Sequence, residues 1–231
     1  VEADSIFFNG KPLKKTSKIE PGKYKVVLKK EGYEPLSFAA NVEPANRAYV
    51  VKKTFVAKAR NVVAIIKSDY DKEKMEQIDL LQLGERNIGP EEMFKPGTYE
   101  FVVKHSGYQE IRRKIQVPPG VEAHTIQETL VSKNRRVIDK ITFDVAAPPA
   151  LAVHVIRLKS TQRAEGEVRL QSGDSIKPGE YIVTIEKEAY ETVRRRVAIE
   201  PSEKDYEISQ ELSAKLRQVF LRINHNIPVP K

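Results

Sequence analysis

The chain has 231 residues, 40% of them apolar and 31% charged, with no cysteine. That is globular composition for one large domain or two to three small ones, and it excludes disulfides, Cys–zinc sites and thiol catalysis. Lys and Arg exceed Asp and Glu by 40 to 32, but residues 1–60 alone carry 13 basic and 6 acidic side chains, so the charge is no uniform coat for nucleic acid.

Taken along the chain, Ile6–Phe8 reads as a strand. Pro21-Gly22-Lys23-Tyr24 then opens a frame that recurs at Pro96-Gly97-Thr98-Tyr99 and Pro178-Gly179-Glu180-Tyr181. A second tyrosine follows each time at Tyr33, Tyr108 and Tyr190, and a second proline at Pro44, Pro119 and Pro201. Lys58, Lys133 and Lys215 come next, with Arg60, Arg135 and Arg217 two residues on. Blocks 21–60, 96–135 and 178–217 therefore align without a gap, and a fixed period decides the fold.

Within a block the apolar period is two, as in Tyr24, Val26 and Leu28, which is a strand pattern. Pro-Gly starts that strand, and Lys30-Glu31-Gly32 or His105-Ser106-Gly107 breaks it. A second strand runs from the second tyrosine to Val42, Val117 or Ile199. A last strand is expected over Ala48–Val56, His124–Val131 or Tyr206–Leu212. Asn61–Ile66 and Gln77–Leu83 add two strands upstream in the second repeat. Short strands with turn signals between them indicate a sandwich or barrel.

Gly10-Lys11-Pro12-Leu13, Pro21-Gly22-Lys23-Tyr24 and Glu31-Gly32-Tyr33-Glu34-Pro35 together resemble the PEGA domain. The resemblance implies a small bacterial all-β module, immunoglobulin-like or prealbumin-like, in tandem on extracytoplasmic proteins of the periplasm or cell surface. It implies spacing or adhesion and no catalytic residues. The third repeat departs from the family at Ala189, where a positive-φ turn would want Gly. The expected fold is all-β, three tandem small immunoglobulin-like β-sandwich units in an elongated array. The units are 1–59, lacking its first strand, 60–134, 135–216 with an insertion, and 217–231 as the first strand of a further or neighbouring unit.

No catalytic, cofactor-binding or metal site emerges. His105, His124, His154 and His225 have no ligand spacing, and Asp69, Asp71 and Glu73 lack the Gly and Glu of a calcium loop. Nucleophile-elbow and phosphate-loop motifs are absent. The uncharged run Val145–Ile156 holds Pro148, Pro149 and His154 and is no transmembrane helix. Arg113 and Arg195 share the core-facing side of their strands, where stems cover the core rim. Arg112, Lys114, Arg194 and Arg196 face outward.

Two interaction readings follow. The leading one is a non-enzymatic extracytoplasmic spacer, stalk or assembly subunit with protein partners or self-association along an array. The alternative is a polyanion-binding module (cell-wall polymer, anionic lipid or nucleic acid) through Lys11, Lys14, Lys15, Lys18, Lys23, Lys25, Lys29 and Lys30. The tail 217–223 aligns with Arg60–Ile66, so Val219, Phe220, Leu221 and Ile223 form a candidate donor strand for an open slot in the first unit. The other reading of the same alignment is an excised window from a longer array, consistent with a start at Val1 rather than Met.

Overall fold

The computed structural model describes residues 2–14, 17–45, 47–71, 75, 77–145, 153–162 and 166–222. All regular structure in them is strand. The chain divides into two compact bodies, Val1–Val131 and Ser132–Lys231. The first body holds the first two repeats; the second holds the third repeat and the tail.

In the first repeat, β1 (Ser5–Phe8), β2 (Lys11–Leu13), β3 (Gly22–Lys29) and β4 (Leu36–Val42) form one antiparallel sheet in the order β2-β1-β3-β4. The second repeat builds the same sheet as β10-β9-β6-β7, from β6 (Leu80–Leu83), β7 (Arg86–Asn87), β9 (Gly97–Lys104) and β10 (Ile111–Val117). It adds a second sheet, β11-β5-β8, with β5 (Arg60–Ser68) between β8 (Met93–Phe94) and β11 (His124–Leu130). The third repeat copies both. Its sheets are β14-β13-β16-β17 and β15-β12-β18, from β12 (Arg135–Phe143), β13 (Val155–Ser160), β14 (Val168–Leu170), β15 (Ser175–Ile176), β16 (Gly179–Glu186), β17 (Val193–Ile199) and β18 (Tyr206–Leu212). β5 and β12 pair in parallel with β11 and β18, and antiparallel with β8 and β15.

The repeated residues explain the repeated fold. Tyr24, Tyr99 and Tyr181 each donate a hydroxyl hydrogen bond to a carbonyl four residues back, at Glu20 (2.8 Å), Lys95 (2.7 Å) and Lys177 (2.6 Å). Each ring lies over the preceding glycine, where an added Cβ would stand 3.4–3.6 Å from it, at ordinary van der Waals contact. Gly32 and Gly107 hold φ of +76° and +80° before the second tyrosine. Ala189 keeps the same turn at φ +67°, so the departure from Gly leaves the turn intact and places the strain on an alanine. At Gly32 space matters too, since a Cβ would lie 2.6 Å from the Gly120 nitrogen.

Three strand expectations change. The second strand of each block starts three residues after its tyrosine, at Leu36, Ile111 and Val193. Gln77–Asp79 stay outside β6, which starts at Leu80. Ala48–Val56 is not a strand. Its counterparts β11 and β18 form because β5 and β12 lie beside them; no strand lies beside Ala48–Val56 among the described residues, and its backbone groups have no ladder to join. Only the end of the segment is tied, by Glu34 N–H to Val56 O (2.8 Å) and Lys58 N–H to Gly32 O (2.9 Å).

Candidate functional site: a strand-accepting edge

The central strands β5 and β12 begin with an arginine that holds the loop before the last strand. Arg60 Nε donates to Glu122 O (2.7 Å) and its Nη1 to Pro118 O (3.1 Å), with the guanidinium packed where a Cβ on Gly120 would collide at 2.5 Å. Arg135 makes the equivalent bonds one repeat later, to Lys204 O (2.8 Å) and Glu200 O (3.0 Å), and adds Asp205 O (2.8 Å). Guanidinium donors to backbone carbonyls are charge-assisted and geometrically selective. In the first repeat the equivalent carbonyls belong to Glu43 and Arg47. The sequence displays Arg60, Arg135 and Arg217 at one repeat position, but the role of Arg60 and Arg135 as clamps is visible only in the fold.

Alternate residues of the central strands then fill the core. Val62 and Ile66 are buried in β5, as Val137 is in β12. Opposite them Ile126, Leu130, Ile208 and Leu212 are buried. The corresponding Val51 and Phe55 are only half-buried, and Tyr49, Val50 and Val56 are exposed. Tyr33, whose counterparts Tyr108 and Tyr190 are buried, is also half-buried and stacks tilted on Phe55 at 5.7 Å. The first repeat therefore presents an apolar edge.

Of the candidate donor residues, Val219, Phe220 and Leu221 are 83–86% exposed and in no strand; Ile223 lies outside the described residues. The lysines of the first repeat divide. Lys23, Lys25 and Lys29 are exposed on one face of β3, and Lys29 Nζ sits 5.2 Å from the Phe7 ring centroid. Lys11 is level with Phe8 and Val26, on the other face of that sheet. Lys30 pairs with Asp4 at 3.1 Å. Lys14 and Lys18 lie in the connection after β2, and Lys15 falls outside the described residues.

The core-facing arginines behave as rim residues. Arg113, beside buried Phe101, pairs with Glu128, and Arg195, beside buried Val183, donates to Ser209 O (2.9 Å). The first repeat solves the same place with Phe38 under Lys53 Nζ at 5.2 Å. Outward Arg112 is held by Glu100 (2.9 Å) and Glu110, whose carboxyl lies below its ordinary range because Lys104 and Arg112 hydrogen-bond to it. His154 bonds Asp139 at 2.8 Å and His105 faces Asp79 at 3.4 Å. No three of the described His, Asp and Glu residues form a metal-binding group, and no helix among them is long and apolar enough to cross a membrane.

Residues 2–59 and 173–216 match the family model of the PEGA domain. Both segments are thus similar to the PEGA domain. The second repeat lies outside the matched PEGA residues yet carries the same sheets and tyrosine frame. An alignment with the Bacillus anthracis TIE protein has a TM-score of 0.35 and 12% identity, and covers 84% of this chain. The chain spans 42% of that protein. No curated protein matches it.

Proposed function

We propose that this chain is a non-enzymatic structural part of an extracytoplasmic protein, in which tandem PEGA-type units space or join other components. The observation that carries this reading is what the repeated residues do. The tyrosine hydroxyls bond turn carbonyls, the arginines clamp loops, and the apolar face fills a core. PEGA domains are typically extracytoplasmic, which supports the compartment. Solution scattering tests the spacer. A compact 231-residue particle has a radius of gyration of about 17 Å. Three sandwiches in file, with strands of about eight residues plus loops, give about 30 Å. A value near the lower figure defeats the spacer reading.

A second reading, polyanion binding, draws on Lys23, Lys25 and Lys29 sharing one exposed face. It calls for heparin or anionic-vesicle binding that weakens steeply with salt and drops on Lys23→Glu/Lys25→Glu. Salt-insensitive binding, or none, ends it.

A further inference from the structure

We propose that the first repeat is completed by β-strand addition in trans, the Arg217–Ile223 segment of a second copy entering between Ile19 and Tyr49–Phe55. This deepens the assembly reading by naming the partner, and it rests on that reading.

The occupant is specified three times over. First comes position. In the complete repeats the central strand pairs antiparallel at Phe94 or Ile176 and in parallel along seven residues of the last strand. The equivalents in the first repeat are Ile19, half-buried outside any strand, and Tyr49–Phe55. Second comes the clamp. A central strand begins with Arg, whose donors meet two loop carbonyls; Arg217 stands at that place in the tail, and Glu43 and Arg47 supply the carbonyls. Third comes the inward pattern. Val62 and Val137 are each buried two residues after their arginine; Val219 stands two after Arg217.

The register follows from the parallel pairs Val62–His124 and Val137–Tyr206. It sets Val219 beside Tyr49, Phe220 beside Val50 and Leu221 beside Val51. Val219 and Leu221 then turn inward against Val51 and Phe55, and Phe220 turns outward with Val50. Arg217–Arg222 is exposed and in no strand, so it is available to another molecule. Main-chain hydrogen bonds supply affinity in such additions, and alternate side-chain positions supply specificity. The edge and the strand are different surfaces of the chain, so the contact is head-to-tail.

The test uses the 231-residue chain, which has no cysteine of its own. Val50→Cys/Phe220→Cys changes two exposed side chains and places the sulfurs on adjacent strands, within disulfide reach. Oxidation is expected to give a reducible ladder of oligomers. The control Val50→Cys/Val219→Cys, one residue out of register with the thiols on opposite faces, is expected to cross-link at least tenfold less. Without cysteines, Val219→Glu/Leu221→Glu is expected to weaken self-association measured by sedimentation at least tenfold, while Phe220→Glu changes it less than threefold. A peptide of residues 215–225 is expected to cap growth.

Equal cross-linking in both registers, equal effects of inward and outward substitutions, closure of the disulfide within one molecule, or a chain that stays monomeric at millimolar concentration each overturns strand addition. An extended radius of gyration for that monomer would leave the spacer reading standing.

Discussion

The first and third repeats carry nearly the same apolar residues at the same places and reach different ends. Tyr49, Val51 and Phe55 align with Tyr206, Ile208 and Leu212. In the third repeat Ile208 and Leu212 are two of eleven buried residues in one core. In the first repeat the buried hydrophobic residues, among those described, are Val26, Ala40 and Val42, all on the one sheet that forms. Apolar alternation therefore proposes a strand, and an adjacent strand decides it, because backbone groups taken from water need partners. The second repeat agrees with the third, with ten buried residues around β5.

The sharpest way to break this comparison is a charge at equivalent places. Ile208→Asp buries an unpaired carboxylate in a closed core and is expected to unfold the third repeat, at a cost of about 4 kcal/mol or more. Val51→Asp, on the half-buried edge, is expected to cost about 1 kcal/mol or less in monomeric protein. Urea unfolding followed by hydrogen exchange, which resolves the repeats, measures both; equal costs would mean that the first repeat is closed after all.

Next in size is the clamp. Arg60→Ala removes two charge-assisted bonds from a guanidinium that is 9% exposed, and about 2 kcal/mol of stability is expected to go with it. Arg60→Lys is expected to recover less than half, because an ammonium cannot span both carbonyls. The same change at Arg217 is expected to leave monomer stability untouched, since that side chain is exposed. Denaturant midpoints of the three variants decide it.

The tight turns give a smaller effect of opposite sign. Ala189→Gly removes left-handed strain worth about 1–2 kcal/mol and loosens the unfolded chain by less, so a gain of about 0.5–1 kcal/mol is expected. Gly107→Ala, at the equivalent φ, is expected to lose a similar amount. A shift of the thermal midpoint in the wrong direction at either site would refute the shared-turn account.

The smallest effects are titrations. Asp139 lies below its ordinary carboxyl range because the Ser172 hydroxyl and then the His154 ring hydrogen-bond to it against the cost of burial. Its folded value is depressed, so its stabilisation is present above the ordinary value near 3.8 and is lost as pH falls through the lowered one. His124 is also lowered, by burial and then by Arg60. There the unfolded chain binds more protons just below pH 6.5, so stability falls as pH drops from 6.5 to the lowered value. Asp139→Asn is expected to flatten the acid limb for the third repeat, and His124→Gln the slope near pH 6 for the second. Unfolding midpoints taken across pH 3–8 test both signs.

The tyrosine frame was legible in the sequence because its chemistry is local, each hydroxyl reaching four residues back and each turn marked by Gly. Gly32 and Gly107 announce positive φ; Ala189 conceals it, since neighbouring hydrogen bonds fix that turn and not its own side chain. The clamps were not legible. Arg60 acts on carbonyls 58 and 62 residues away, a relation no periodicity records. Ala48–Val56 shows the opposite error, a strand pattern without the neighbour that would make it a strand. The position shared by Phe38, Arg113 and Arg195 was readable as rim, but its partners Lys53, Glu128 and Ser209 needed the fold.

The parallel pairing of the first and last strands has a mechanical consequence. In both complete repeats the chain enters at the start of β5 or β12 and leaves at the end of β11 or β18, two neighbouring strands that run the same way. A tensile load applied through those ends pulls the two strands lengthwise past each other. Seven residue pairs then bear it together in shear, and none can peel away one at a time. Such a module yields abruptly at high force, a property suited to a part that bears load.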